Sequence, residues 1–144
     1  MIADEKRKRE IFARLLEHKG PETRIAVAGA STNPSKYGNI IVRNLKEKGY
    51  TVYPVNPKAE EIAGLKVYHS LEEVPRPVDV VNVVTPPQVS LQILQEADRL
   101  GFPVIWFQEG SFDDQVLRAL EKARIEGIVG ACIMVVTSWE GLPE

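Results

Sequence analysis

The sequence predicts an α/β fold in which a mostly parallel sheet is doubly wound by helices on both faces. From residue 24 onward, short β-branched or apolar runs alternate with stretches of helical periodicity, the pattern of βα units. The runs themselves, above all 78–84, are nearly continuous in apolar residues, so both faces of the sheet are expected to be covered. At 144 residues, 44% hydrophobic and 26% charged, the chain suffices for one buried core and is short for two ordinary domains. Together these observations describe a Rossmann-like sandwich, with residues 1–144 expected to form a single domain.

Each element has a local reason. An amphipathic N-terminal helix is expected at about residues 4–19, because Ile11, Phe12, Leu15 and Leu16 share one face and Gly20-Pro21 stops the run. Its basic cluster Lys6-Arg7-Lys8-Arg9 is interleaved with Asp4, Glu5 and Glu10 and reads as a solvated helix face. Residues 24–30 follow as a strand, and 38–48 as a helix with Ile41, Val42 and Leu45 inward. Next come strands at 50–55, 66–68 (short) and 78–84, then a helix at 89–100 burying Ile93, Leu94, Ala97 and Leu100. A strand at 103–107, a helix at 113–126 with Val116, Leu117 and Leu120 inward, and a strand at 127–133 complete the alternation. The tail after Val136 is open to two readings, docked or frayed.

Composition excludes several functions. A net charge of −2 and a pI near 5.8 provide no global positive field for nucleic acid or an anionic membrane, so a polyanion must be met locally. No apolar run approaches the ~20 residues of a bilayer span, and the charged first ten residues do not read as a secretory signal. One cysteine, Cys132, rules out an internal disulfide framework and a cysteine zinc site, and the cytoplasm is the expected compartment. Cys132 lies in an apolar run and is expected to be a buried, inert thiol. His18 and His69 are expected in surface or capping roles, and no metal site is expected.

In an open α/β sheet, ligands bind beyond the carboxyl ends of the strands, which singles out four corners. The first, Gly29-Ala30-Ser31-Thr32-Asn33-Pro34-Ser35-Lys36-Tyr37-Gly38, combines hydroxyls, a lysine and a helix start, which suits a phosphate or pyrophosphate. It matches neither the Walker A pattern nor G-x-G-x-x-G, and its small residues also suit a turn that lets helix and strand approach. The second, Tyr53-Pro54-Val55-Asn56-Pro57-Lys58, lacks the acid that would hold an NAD ribose; Lys58 favours a phosphorylated ribose, as in NADP or coenzyme A. The third, Thr85-Pro86-Pro87-Gln88, reads as an N-cap at Thr85 followed by prolines, and offers an apolar wall for an adenine or a pantetheine arm. At the fourth, Gln108-Glu109-Gly110 ends a buried strand in polar residues, with Gln108 and Glu109 offering hydrogen bonds to a ligand while Trp106 belongs to the core.

In this order, Gly29-Ala30-Ser31 with Asn33-Pro34, Gly49-Tyr50 leading to Pro54-Val55-Asn56-Pro57, Gly64 with Tyr68, Asp79, and Trp106-x-Gln108-x-Gly110 resemble the CoA-binding domain proteins. That family is similar to the first domain of the succinyl-CoA synthetase α subunit. The resemblance implies that Ser31, Thr32 and Lys36 receive CoA phosphates, and that Asn56, Pro57, Lys58, Pro86 and Pro87 receive the phosphoadenosine end. Small members often carry Asp-Arg before the cysteine and Glu-His after it. Here Gly130-Ala131 precedes Cys132 and Met134-Val135-Val136 follows, so roles tied to those polar groups are not carried over.

The expected function is therefore a stand-alone CoA or acyl-CoA binding protein, non-catalytic by itself, since Glu109 is the only acid at a corner and no nucleophile stands beside a base. A redox or sensor protein binding NADP and an interaction module with a vestigial crevice are the alternatives. The expected partner is a small-molecule CoA ligand; self-association or a protein partner is left open.

Overall fold

The computed structural model describes residues 1–144. In chain order it comprises α1 (Glu5–Glu17), β1 (Arg24–Ala28), α2 (Tyr37–Glu47), β2 (Thr51–Val55), a hairpin of β3 (Glu61–Ile62) and β4 (Leu65–Lys66), and a 3-10 turn (Leu71–Glu73). Then come β5 (Val80–Val83), α3 (Pro87–Arg99), β6 (Val104–Phe107), α4 (Asp114–Lys122), β7 (Glu126–Ile128) and α5 (Ile133–Val136). The main sheet is parallel throughout, in the order β2-β1-β5-β6-β7, and only β3 and β4 pair antiparallel. This is the predicted Rossmann-like α/β architecture.

Strand residues alternate between faces, and so do the two cores. Ile25, Val27, Val80, Trp106 and Ile128 pack with Ile11 and Leu15 of α1, Ile41 and Leu45 of α2, and Ile133 of α5. Ala26, Val81, Val83, Ile105 and Phe107 pack with Leu94 and Ala97 of α3 and Val116 and Leu120 of α4. The chain winds outward from β1 in one direction to β2 and in the other to β5, β6 and β7. The strand order therefore reverses between β1 and β5, and a crevice opens there. No helix is long and apolar enough to cross a membrane.

Several local expectations are corrected. β1 ends at Ala28, and the expected strand at 66–68 is β4 plus an isolated bridge from Tyr68 to Val55. The helix expected to reach Glu126 ends at Lys122, because Asp98 Oδ1 accepts the N–H groups of Arg124 and Ile125 and draws the chain into β7. The last strand stops at Ile128: Gly130 turns with φ +80°, and residues 133–136 coil as α5. Trp106 Nε1 donates to Ala131 O at 2.8 Å and anchors that turn. Ile93, Leu100 and Leu117 are half-buried, at the margins of their helix faces. The tail docks: the Trp139 ring meets Phe12 edge-on at 5.9 Å, and Arg9 Nη1 donates to Pro143 O at 2.9 Å.

One buried phenol makes stability depend on alkaline pH. Tyr50 is 5% exposed, its hydroxyl donates to Leu15 O at 2.7 Å, and burial pushes its pKa from 10.0 up to about 12. The folded state holds this proton more tightly, so its contribution is complete below pH ~10 and is lost as pH rises toward ~12. Melting temperature is expected to fall over that window, and Tyr50→Phe should flatten the fall. An equal alkaline slope in the variant would assign it to other groups.

Candidate functional site

The N-terminus of α2 is set against the end of β1 at Gly38. A Cβ on Gly38 would overlap the Gly29 carbonyl oxygen and stand 3.0 Å from its carbon and 3.1 Å from the Ala30 Cα. Gly38 thus serves the close approach of helix and strand, while Gly29, at φ +95°, lets the first corner meet the third: a Cβ there would stand 2.7 Å from Thr85 Cγ2 and from Val84 O. Gly38→Ala, which helix propensity alone would favour, is expected instead to cost about 1–3 kcal/mol, because rigid backbone must move. Urea unfolding measures it, and an unchanged midpoint would refute the close approach.

The connecting loop is braced from within. Asn33 Oδ1 accepts the N–H and hydroxyl of Ser35, Ser31 Oγ accepts the Asn33 N–H, and Asn39 Nδ2 of α2 donates to Ser31 O at 2.9 Å. Arg43 ties the same turn by donating to Asn39 Oδ1 and Pro34 O. Asn56 fastens the second corner to the first: its Nδ2 donates to Ala30 O at 2.8 Å, while Oδ1 accepts from the N–H groups of Lys58 and Ala59. No side chain caps α2, whose N-cap residue is Lys36, so its first N–H groups are free to meet an anion. Lys36 is exposed and has no carboxylate partner.

At the reversal between β1 and β5 lies a cavity of about 630 Å³. It gathers Gly29, Ala30, Ser31, Lys36, Tyr37 and Gly38 from the first corner, Asn56 from the second, Thr85, Pro86 and Pro87 from the third, and Glu109 and Gly110 from the fourth. A second cavity of about 270 Å³ shares Gly29, Asn56 and Thr85 with it and adds Val55 and Pro57. A third, of about 230 Å³, joins at Glu109 and is bounded by Gly130, Ala131 and Cys132. The three follow the strand order and share lining residues, so the carboxyl edge of the sheet carries a row of adjoining cavities, a segmented trough, from β2 to β7. Four strand spacings make it roughly 19 Å wide.

Three predicted residues stand apart from the trough. Thr32 and Lys58 are exposed and line none of these cavities, although Lys58 directly follows the Asn56-Pro57 rim. Gln108 is turned into the fold, 7% exposed: its Oε1 accepts from Asn82 Nδ2 and the Ile133 N–H, and its Nε2 donates to Cys132 Sγ at 3.3 Å. β6 ends at Phe107, and the turn that follows, closed by the Ser111 N–H on Gln108 O, carries Glu109 to the trough while Gln108 points toward α5. Thr85 is not the N-cap of α3. Pro86 holds that position, while Thr85 Oγ1 meets Ser90 Oγ at 2.7 Å. Cys132 is half-buried at the start of α5 rather than enclosed, because the chain there leaves the sheet.

Sequence reading missed Val84 and Ser111 of the large cavity, and His69, Ser70 and Leu71 of the second. It also missed Val89, Gln92, Ile93 and Glu96, whose i, i+3, i+4, i+7 spacing marks one face of α3; that signal was present once α3 was known to start at the crevice. His69 lines the second cavity while its Nε2 lies 3.2 Å from Glu60 Oε1. Behind the third cavity, Lys48 donates to Met134 O and Thr137 Oγ1, and burial, then the nearby Lys19, lower its pKa. No group of three or more His, Cys, Asp or Glu side chains comes together to hold a metal ion.

A parallel α/β sheet with an uncapped helix start and a free lysine at its strand reversal defines a nucleotide-type crevice protein. Within that class, residues 23–138 match the family model described as CoA binding domain, and the chain belongs to that family. The uncharacterized protein YneT of Bacillus subtilis (strain 168) is 31% identical over 112 residues, 78% of this chain and 83% of that protein. A conserved hypothetical protein from Pyrococcus furiosus superposes with a TM-score of 0.76 at 51% identity, covering 78% of this chain and 97% of that one. The α subunit of an ADP-forming acetate–CoA ligase (II) from the same organism is 45% identical over 78 residues, 54% of this chain. The match spans only 17% of that subunit.

Proposed function

We propose that the chain is a single-domain, stand-alone binder of CoA or acyl-CoA and has no catalytic activity of its own. The observation that carries this reading is the trough, which joins an uncapped helix start to a cavity on each side. Pyrophosphate then meets the free N–H groups of α2 and Lys36. Adenosine takes the second cavity, between Asn56-Pro57 and the Val89 and Ile93 face of α3, with Lys58 beside the 3′-phosphate. The pantetheine arm passes Pro86, Pro87 and Gly110 toward β7. Family membership supports the ligand, and no nucleophile in the trough is hydrogen-bonded to a base: Cys132 Sγ, which shares the third cavity with Glu109, accepts from Gln108 Nε2, and His69 lies at the opposite end.

NADP shares the phosphorylated ribose, so Lys58 alone does not separate it from CoA. Thermal shift with CoA, dephospho-CoA, NAD and NADP does. A ligand at ~100 times its Kd adds ~2.7 kcal/mol of stability, so CoA is expected to raise the melting temperature by several degrees. Dephospho-CoA should shift it much less, through loss of the Lys58 pairing. A larger shift with NADP than with CoA would replace the ligand, and equal shifts with CoA and dephospho-CoA would remove Lys58 from the site.

A further inference from the structure

The third cavity stands at the end of the trough where the acyl group would lie, and its chemistry is one-sided. Resting on the CoA reading above, the arm that leaves the α2 N-terminus away from β2 crosses β5 and β6 and ends between Glu109 and the Gly130-Ala131-Cys132 turn. Glu109 is exposed, borders both the large and the third cavity, and pairs with no cation. The lysine on that side, Lys48, turns its ammonium to Met134 O and Thr137 Oγ1 and lines neither cavity. Lys36 belongs to the phosphate end. A carboxylate carried on the acyl group would therefore meet a second carboxylate with no positive charge between them.

We infer that Glu109 is a specificity residue that excludes acyl groups ending in a carboxylate, so that the ligand class is free CoA and neutral acyl-CoA. Like charges across a partly solvated gap repel, and solvent screens the repulsion without abolishing it. The energetic consequence falls on the acyl end alone, since the nucleotide and pantetheine contacts are common to every acyl-CoA.

Butyryl-CoA and succinyl-CoA test this, because both carry four-carbon acyl chains and only the second ends in a carboxylate. In calorimetric titrations at low salt, succinyl-CoA is expected to bind about 5-fold more weakly than butyryl-CoA. Glu109→Gln should bring the two within about twofold, and Glu109→Lys should reverse the preference. Ligand-free melting curves of both variants check that they fold. Equal affinities in the wild-type protein would overturn the inference, as would a preference that persists unchanged in Glu109→Gln. Failure of the wild-type protein to bind free CoA or butyryl-CoA is a different result: it overturns the CoA reading, and the filter falls with it.

Discussion

Ser31→Glu is expected to reduce CoA binding by at least ~100-fold while leaving the unliganded fold in place, because the new carboxylate would occupy the ground on which the phosphates depend. Ser31 lines the large cavity, in the loop that leads to the uncapped start of α2. A glutamate here can turn its carboxylate toward those N–H groups and Lys36, so the substitution repels the ligand and also competes with it. The same placement compensates the fold, since an acid near a helix N-terminus contributes about 0.3–1 kcal/mol. The loss to set against it is the Asn33 N–H bond to Ser31 Oγ, about 1 kcal/mol. Melting without ligand should therefore move by only a few degrees, while the CoA-dependent shift disappears. If the variant is unfolded, the loop serves packing before binding; if it still binds CoA, the phosphates lie elsewhere.

Trp106→Ala is expected to cost about 3–5 kcal/mol, a large part of the ~5–15 kcal/mol that holds an ordinary domain together. Trp106 is fully buried in β6, and its ring centroid lies 5.2 Å from that of Phe12 on α1. Its Nε1–H also holds Ala131, so truncation opens a cavity and frees the turn before α5 at once. Trp139 is the one tryptophan left in the variant, and through Phe12 it reports on the docked tail. Guanidinium unfolding should show the loss, and Trp139 emission should shift toward that of exposed indole before the main transition. A cost below ~1 kcal/mol would mean that the neighbouring side chains collapse into the space, contrary to a rigid core around β6.

Much of the fold was legible because its signals are local. Val80, Val81 and Val83 sit in an apolar run short enough to be a strand and continuous enough to require cover on both faces. Ile41, Val42 and Leu45 keep helical spacing, and all are buried. The corners were legible through chain order: strand ends converge on one edge of a parallel sheet, so Ser31, Asn56, Pro86 and Glu109 could be grouped before their positions were known. Less legible were the ends of elements near competing partners. Asp98 stops α4 from a distance of 26 residues in sequence, and nothing near Lys122 announces it.

The sequence by itself determined the α/β class, the alternation of its elements and the edge of the sheet where the four corners gather, because periodicity and turn residues act within a few positions of themselves. Only the tertiary structure decided which way the corner residues face. Gln108 and Glu109 are neighbours in the chain, yet one is buried beneath α5 and the other stands at the trough, since the chain leaves β6 at Phe107 and turns between Gln108 and Ser111. It also decided that Asn56 joins the first corner to the second, and that the three cavities run together in strand order. Those features arise from contacts between segments far apart in the chain, and local residue patterns carry no record of which distant partner will be met.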